Sequence, residues 1–203
     1  MKAESRDPLN LIITGVGGQG NVLISQVMGL ALVNKGFKVA VGETFGLSQR
    51  GGSVQSHIRI SRDKVYGPLI PEGQAHAVLG LEPMETLRVV PVYGRPGLKI
   101  VVNSRPVPPL NVIAGEAVYP SEANLKSALN SFAAKVWWVN GTATAQKLGA
   151  AIMANIVLLG ALAATGLIPL DKADLEDALG RVLPPDRLQQ NITAFRRGAR
   201  LIR

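Results

Sequence analysis

Leu9 to Thr14 (LNLIIT) is a short apolar run rich in isoleucine, and the glycine cluster GVGGQG, Gly15 to Gly20, follows it without a break. An apolar run of this length, ended by a turn signal, has the pattern of a parallel strand buried on both faces. Asn21 to Asn34 then carries apolar residues on most faces of a helix, and Lys38 to Val41 resumes a strand. The chain therefore opens as strand, glycine turn, helix, strand. A unit of this size suits a right-handed crossover, which points to an α/β sheet.

The alternation continues. Val54, Ser56, Ile58 and Ile60 lie on one side of a strand and Gln55, His57 and Arg59 on the other, as in a half-exposed strand. Ala75 to Leu81 and Lys99 to Asn103 read as two further buried strands, with a short helix starting after Pro83 between them. Arg105 to Pro109 is proline-rich and is predicted to be a loop. Asn111 to Tyr119 is predicted as a strand, Ser121 to Phe132 as a helix capped by Ser121, and Lys135 to Val139 as the last strand. Trp137 and Trp138 alternate faces there, which places one in the core and the other at an interface. Helices over Thr142 to Thr165, Asp171 to Val182 and Asp186 to Leu201 follow, the final two separated by Pro184 and Pro185. There is no internal repeat and no long linker. The expected architecture is a three-layer α/β fold, with a Rossmann-like, mostly parallel sheet and helices on both faces. It is read as one domain over residues 1–203, with the C-terminal helices part of it.

Composition narrows the chemistry. With 47% hydrophobic and 18% charged residues the chain has material for a sizeable core and does not read as disordered. There is no cysteine, which excludes disulfides, thiolate zinc sites, iron–sulfur ligation and a cysteine nucleophile on this chain. The two histidines, His57 and His76, lie far apart in sequence, which argues against a metal-centred enzyme. A lone histidine such as His57 is more often hydrogen-bonded or at the surface than catalytic. The segment MKAESRDPLN lacks the apolar core of a signal peptide, so a cytoplasmic location is expected. Leu148 to Ile168 is uncharged and long enough to cross a bilayer, but its Ala and Gly content and Asn155 fit a buried central helix better. Five arginines and one aspartate between Asp186 and Arg203 account for half of the net charge of +8. That skew favours an acidic partner or a phosphate-bearing ligand, and fits a solvated terminal helix equally well.

Gly15, Gly17 and Gly20 satisfy G-x-G-x-x-G between a strand and a helix. Such a turn lets backbone N–H groups and a helix N-terminus face a phosphate. Glu43 ends the second strand, roughly where a dinucleotide site keeps its ribose-binding acid. Beyond Glu43 the chain does not continue as a Rossmann half: it runs through SQRGGSV into an alternating strand. Arg50 before Gly51 and Gly52 puts a cation on a backbone free to take positive φ, and Ser48, Gln49 and Ser53 add donors. The segment suits gripping an anionic group or reaching into a neighbouring subunit's site; a plain structural turn stays open.

Taken together, G-x-G-G-Q-G and GE-x-x-G-x-SQRGGSV-x-S resemble the gamma-subunit domain of the 2-oxoacid:ferredoxin oxidoreductases. The resemblance continues through VYGPLIPEG (Val65 to Gly73), AVLGLEPMETLR (Ala77 to Arg88) and Asn155 with LLGA after it, and is closest in pattern to the small beta subunit of indolepyruvate:ferredoxin oxidoreductase. Leu81 stands where an aromatic is expected before the glutamate, and His76 where an acid is usual. The resemblance implies a non-catalytic but required subunit of an enzyme that decarboxylates a 2-oxoacid on thiamine diphosphate, passes electrons through iron–sulfur clusters to ferredoxin and releases an acyl-CoA. Thiamine diphosphate, magnesium and the clusters are then expected on a larger partner chain in a hetero-oligomer, and the isolated chain can self-associate as a homodimer. Carried over by position, Gly15, Gly17, Gly18, Gln19 and Gly20 form a diphosphate-facing turn that helps bind coenzyme A. Ser48, Gln49, Arg50, Gly51, Gly52 and Ser53 form the loop at the shared active site. The residues by themselves also allow a free-standing NAD(P)- or FAD-binding Rossmann protein. A nucleic-acid binder fits less well, because no aromatics are interleaved among the tail arginines.

Overall fold

The computed structural model describes residues 7–45, 52–108 and 110–202. The apolar opening run forms β1 (Leu9–Val16), the glycine turn leads into α1 (Asn21–Asn34), and β2 (Lys38–Phe45), β3 (Ser53–Ser61) and β4 (Ala75–Gly80) follow. Then come α2 (Pro83–Tyr93), β5 (Gly94–Asn103), α3 (Leu110–Ile113), α4 (Glu122–Phe132), β6 (Lys135–Val139) and α5 (Gly141–Lys147). After a 3₁₀ turn at Ala151–Met153, α6 (Ala154–Ala164), α7 (Lys172–Val182) and α8 (Pro185–Ala199) complete the chain. Among the described residues the sheet has the order β2-β3-β1-β4-β5-β6. All its strands run one way except β3, which is antiparallel to both neighbours.

Two apolar layers sandwich the sheet. Leu11 and Ile13 of β1 face one layer with Ile24 and Met28 of α1, Leu158 and Leu162 of α6, Leu175 of α7 and Phe195 of α8. Ile12, between them in sequence, faces the other layer with Val78, Val89 and Val90, Ile100 and Leu129. Strand alternation thus delivers successive isoleucines to opposite cores, and burying each contributes about 1.5–3 kcal/mol. The three-layer expectation is met.

Some local expectations are not. Asn111 to Tyr119 is not a strand: α3 covers its start, Gly115 adopts φ +77, and Ile113 and Val118 are 70% and 92% exposed. The order of the sheet shows why, since β6 takes the place beside β5 that this segment would need. The helix expected over Thr142 to Thr165 is broken at Gly149, whose φ of +104 ends α5 with an Ala150 N–H to Ala145 C=O bond. Among the described residues no helix is long and apolar enough to cross a membrane. Pro185 opens α8 as its first residue, where a missing N–H costs nothing.

α6 is buried from Asn155 to Ala163 and crosses α8 at two glycines. A β-carbon on Gly160 would lie 2.0 Å from the Phe195 carbonyl oxygen, and one on Gly198 1.8 Å from that of Val157. Backbone meets backbone there, so no side-chain rotation relieves an added methyl. One face of the arginine-rich tail helix is thereby fixed in the core, while Arg196 pairs with Glu176 at 2.8 and 2.7 Å and Arg197 and Arg200 stay exposed. Trp137 packs against one core and Trp138 against the other, so β6 contributes an indole to each layer.

The half-exposed expectation for β3 also fails at His57, which is 1% exposed. Pro68 to Pro71 belongs to the loop that covers this side, and Ile70 N–H donates to His57 Nδ1 at 3.1 Å. The ring meets Tyr93 edge to face at 5.0 Å. Accepting at Nδ1 leaves the neutral ring's proton on Nε2, which is buried without a hydrogen-bond partner. Burial therefore pushes the imidazole below its ordinary value.

Gly160→Ala and Gly198→Ala are each expected to lower stability by about 1–3 kcal/mol in urea unfolding. Gly180→Ala, at an exposed position inside α7, is expected to raise it by about 0.5–1 kcal/mol. His57 gives a pH signature. A base whose folded value is depressed contributes stability that is whole above its unfolded value, near 6.5, and is lost as pH falls through the folded value. Wild type should lose stability relative to His57→Gln between pH 7 and pH 5, measured by urea midpoint at each pH; parallel profiles would contradict this.

Candidate functional site

α1 leaves β1 toward one core and α2 leaves β4 toward the other, although β1 and β4 are parallel neighbours. The crevice beyond their carboxyl ends is where an open α/β sheet takes its ligands. Gly15 to Gly20 stands on one side of it and Leu81 and Glu82 on the other.

The turn is held by its own side chain. Gln19 Oε1 accepts from Val16 N–H at 2.7 Å, and its Nε2 donates to the Leu81 carbonyl at 3.4 Å. Gly15 leaves room for this: a β-carbon there would meet Gln19 Oε1 at 2.6 Å. Gly18 and Gly20 adopt φ +97 and +88. A β-carbon on Gly20 would strike Asn155 Nδ2 at 2.2 Å, so the N-terminus of α6 supports the turn from below. At Gly18 it would meet nothing within 4 Å. Gly20 caps α1 with no side-chain hydrogen bond, so the first N–H groups of that helix lack an intrahelical partner. They border a cleft of about 400 Å³ lined by Val16, Gly17, Gly18, Asn21, Val22 and Val54 among others. Among the described residues, N–H groups without an intrahelical partner and the positive end of a helix border this cleft, a setting that suits a phosphate.

The second glycine segment meets this turn through β3. Val16 lies opposite Ser53, and Gly17 N–H donates to the Gly52 carbonyl at 2.8 Å. Ser48, Gln49, Arg50 and Gly51 lie outside the described residues. Inserting β3 has a consequence for dinucleotides. Glu43, at the end of β2, stands one strand further from the glycine turn than in a Rossmann half, about 4.8 Å. Its carboxylate instead accepts from Ser25 Oγ at 2.9 Å. The acid that would hold a ribose is engaged elsewhere.

Beside the crevice is a polar cluster that the sequence announces only in part. Glu82 caps α2, its Oε2 accepting from Glu85 N–H at 2.8 Å, and Pro83 takes the first helical position. Its Oε1 accepts from Val107 N–H at 3.2 Å and from the Tyr119 hydroxyl. Burial pushes the Glu82 carboxyl up, opposed by these bonds, and burial with the Glu82 contact pushes the Tyr119 phenol up. The cluster ties the segment after β5 to the end of β4. Asn103 joins in, donating from Nδ2 to the Leu81 carbonyl at 3.2 Å and to Thr142 Oγ1 at 2.9 Å. Glu-Pro at a strand's end is a cap signature legible in sequence; Tyr119, 37 residues on, is not. Among the described residues no group of three histidine, aspartate or glutamate side chains could hold a metal ion.

Residues 10–201 match the family model for pyruvate ferredoxin/flavodoxin oxidoreductase. The indolepyruvate oxidoreductase subunit IorB of Thermococcus kodakarensis is 37% identical over 192 residues, covering 94% of each chain. The subunit of the same name from Pyrococcus horikoshii is 38% identical, again over 94% of each. The keto/oxoacid ferredoxin oxidoreductase gamma subunit of Geobacter sulfurreducens superposes with a TM-score of 0.67 at 25% identity, over 95% of this chain and 97% of that one. The chain belongs to the pyruvate ferredoxin/flavodoxin oxidoreductase family.

Proposed function

We propose that the chain is the small, gamma-type subunit of a cytoplasmic 2-oxoacid:ferredoxin oxidoreductase whose substrate is an arylpyruvate such as indolepyruvate. In this reading its two glycine segments receive the diphosphate of coenzyme A at a site shared with a larger subunit. One observation carries the reading: the Gly17 to Gly52 hydrogen bond brings both segments to the uncapped N-terminus of α1, at an open cleft. Relatives named as indolepyruvate oxidoreductase subunits support the substrate class.

The residues present fit a phosphate and do not fit a thiolate-held iron–sulfur cluster. A chain without cysteine cannot ligate an iron–sulfur cluster through thiolates. In this reading thiamine diphosphate and the clusters that pass electrons to ferredoxin are groups of the partner chain. What this chain supplies is binding and orientation. The N–H groups at the start of α1 meet phosphate oxygens, and the α1 dipole favours negative charge by about 0.3–1 kcal/mol. Arg50 adds a planar fork able to make paired, charge-assisted bonds.

Purification from native cells is expected to yield this chain with a larger, cysteine-bearing companion; recovery of the free chain alone would count against the subunit reading. In the assembled enzyme, Gly18→Ala should raise KM for coenzyme A while leaving assembly intact. Its β-carbon would enter the open cleft, and the left-handed backbone costs only about 1–2 kcal/mol. Arg50→Ala should weaken coenzyme A use by about 2–4 kcal/mol, with Arg50→Lys recovering part of it. Steady-state turnover against coenzyme A and 2-oxoacid concentration measures both. Wild-type kinetics with intact assembly would remove the residue from the site.

A further inference from the structure

The sheet ends on one side at β2, which pairs with β3 and with no other described strand. Every second residue of β2 therefore turns its N–H and C=O outward, where they have no ladder partner. Natural edges are blunted by charged side chains, prolines or bulges. β2 has none of these at its middle. It is 8 residues long, pairs with β3 without a register shift, contains no proline, and reads Val39, Ala40, Val41, Gly42 between its two charges. Both charges are engaged away from the free side: Lys38 Nζ donates to the Asp63 carbonyl at 2.7 Å, just past the end of β3, and the Glu43 carboxylate is held by Ser25 of α1.

Each face of this edge carries exposed apolar side chains. Val41, 40% exposed, lies over α1, where a β-carbon on Gly29 would sit 3.9 Å from its Cγ2; Val33, one turn further along α1, is 57% exposed. On the other face a β-carbon on Gly42 would come within 3.1 Å of Leu69 Cδ2, and Leu69 is 54% exposed. A strand laid along β2 would bury its alternate side chains against these. The start of the edge is cationic. Arg62 and Lys64 follow β3 beside Lys38, with Asp63 between them, and among the described residues none of these three cations is in an ion pair. A second copy paired antiparallel would set them beside the end of its own β2, whose one acid, Glu43, is already engaged by Ser25. The occupant that complements them is a strand with acidic residues of its own.

We propose that the free edge of β2 takes an extended segment of the larger subunit as an added strand, apolar at alternate positions and acidic where it passes Lys38, Arg62 and Lys64. This rests on the gamma-type subunit reading, in which β2 runs beyond Phe45 into the segment at the shared site, so that a partner strand along β2 leads there. Main-chain bonds to the edge supply affinity, and the exposed Val33, Val41 and Leu69 select the side chains.

Backbone amide hydrogen exchange, read by mass spectrometry, compares the full chain alone with its complex with the larger, cysteine-bearing companion. Exchange over β2 should slow by about tenfold or more in the complex, since its outward amides gain ladder partners. Val41→Lys, which sets a charge at the middle of the edge, should weaken association of the two chains about tenfold, and Val41→Thr, which keeps the branched shape, by less. Far-UV circular dichroism confirms that each variant is folded. An intact complex with unslowed exchange over β2, or Val41→Lys associating as tightly as wild type, would overturn the proposal. Protection in the chain alone that grows with its concentration would also overturn it, by giving the edge to a second copy. Absence of any companion would bring down the subunit reading and this proposal with it, whereas an intact complex with a free edge brings down the proposal alone.

Discussion

Antiparallel pairing of β3 with β1 along its full length, from Leu9 opposite Ile60 to Val16 opposite Ser53, is the interaction on which the site depends. Each ladder bond contributes only about 0.5–1.5 kcal/mol, but the register allows no slip, because a one-residue shift would turn Ile58 and Ile60 out of the core. Holding that register delivers Gly52 to Gly17. It also pushes β2 to the edge and takes Glu43 away from the turn. One strand insertion thus removes a ribose-binding geometry and joins the two glycine segments.

The turn rests in its own right on the C-terminal helices. Asn155 stands against Gly20 at the start of α6, and α6 is locked by its crossing with α8 at Gly160 and Gly198. Closely packed backbones have no soft side chain between them, so the position of α8 is transmitted to the turn with little give. The basic helix is therefore an anchored element. Its outward arginines contribute little to stability, since exposed ion pairs such as Arg187–Asp186 are worth about 0–1 kcal/mol.

Much of the frame was legible in the sequence. The bounds of α1 and β6 match the expectation residue for residue, because periodicity and flanking turn residues mark both ends. Ser121 caps α4 as expected, accepting from Asn124 N–H at 3.2 Å. The errors share one cause, that local pattern does not reveal what lies on top. His57 alternates like an exposed residue yet is roofed by the loop after β3. Asn111 to Tyr119 is apolar enough for a strand, but the neighbouring place in the sheet belongs to β6. Gly149 sits in a run that reads as unbroken helix until its left-handed φ ends α5.

What the sequence determined by itself is the order of elements, the glycine turn after β1 and the absence of thiolate chemistry, since all three come from residue type and spacing along the chain. The tertiary structure decided the rest. Only the sheet order reveals that β3 separates β2 from β1, and only the packed crevice shows Gln19 turned inward to Leu81 and Tyr119 reaching Glu82. Those two side-chain contacts join residues 62 and 37 positions apart, and no local propensity encodes them. They form when two apolar cores close on opposite faces of one sheet and leave each polar side chain to find its partner across it.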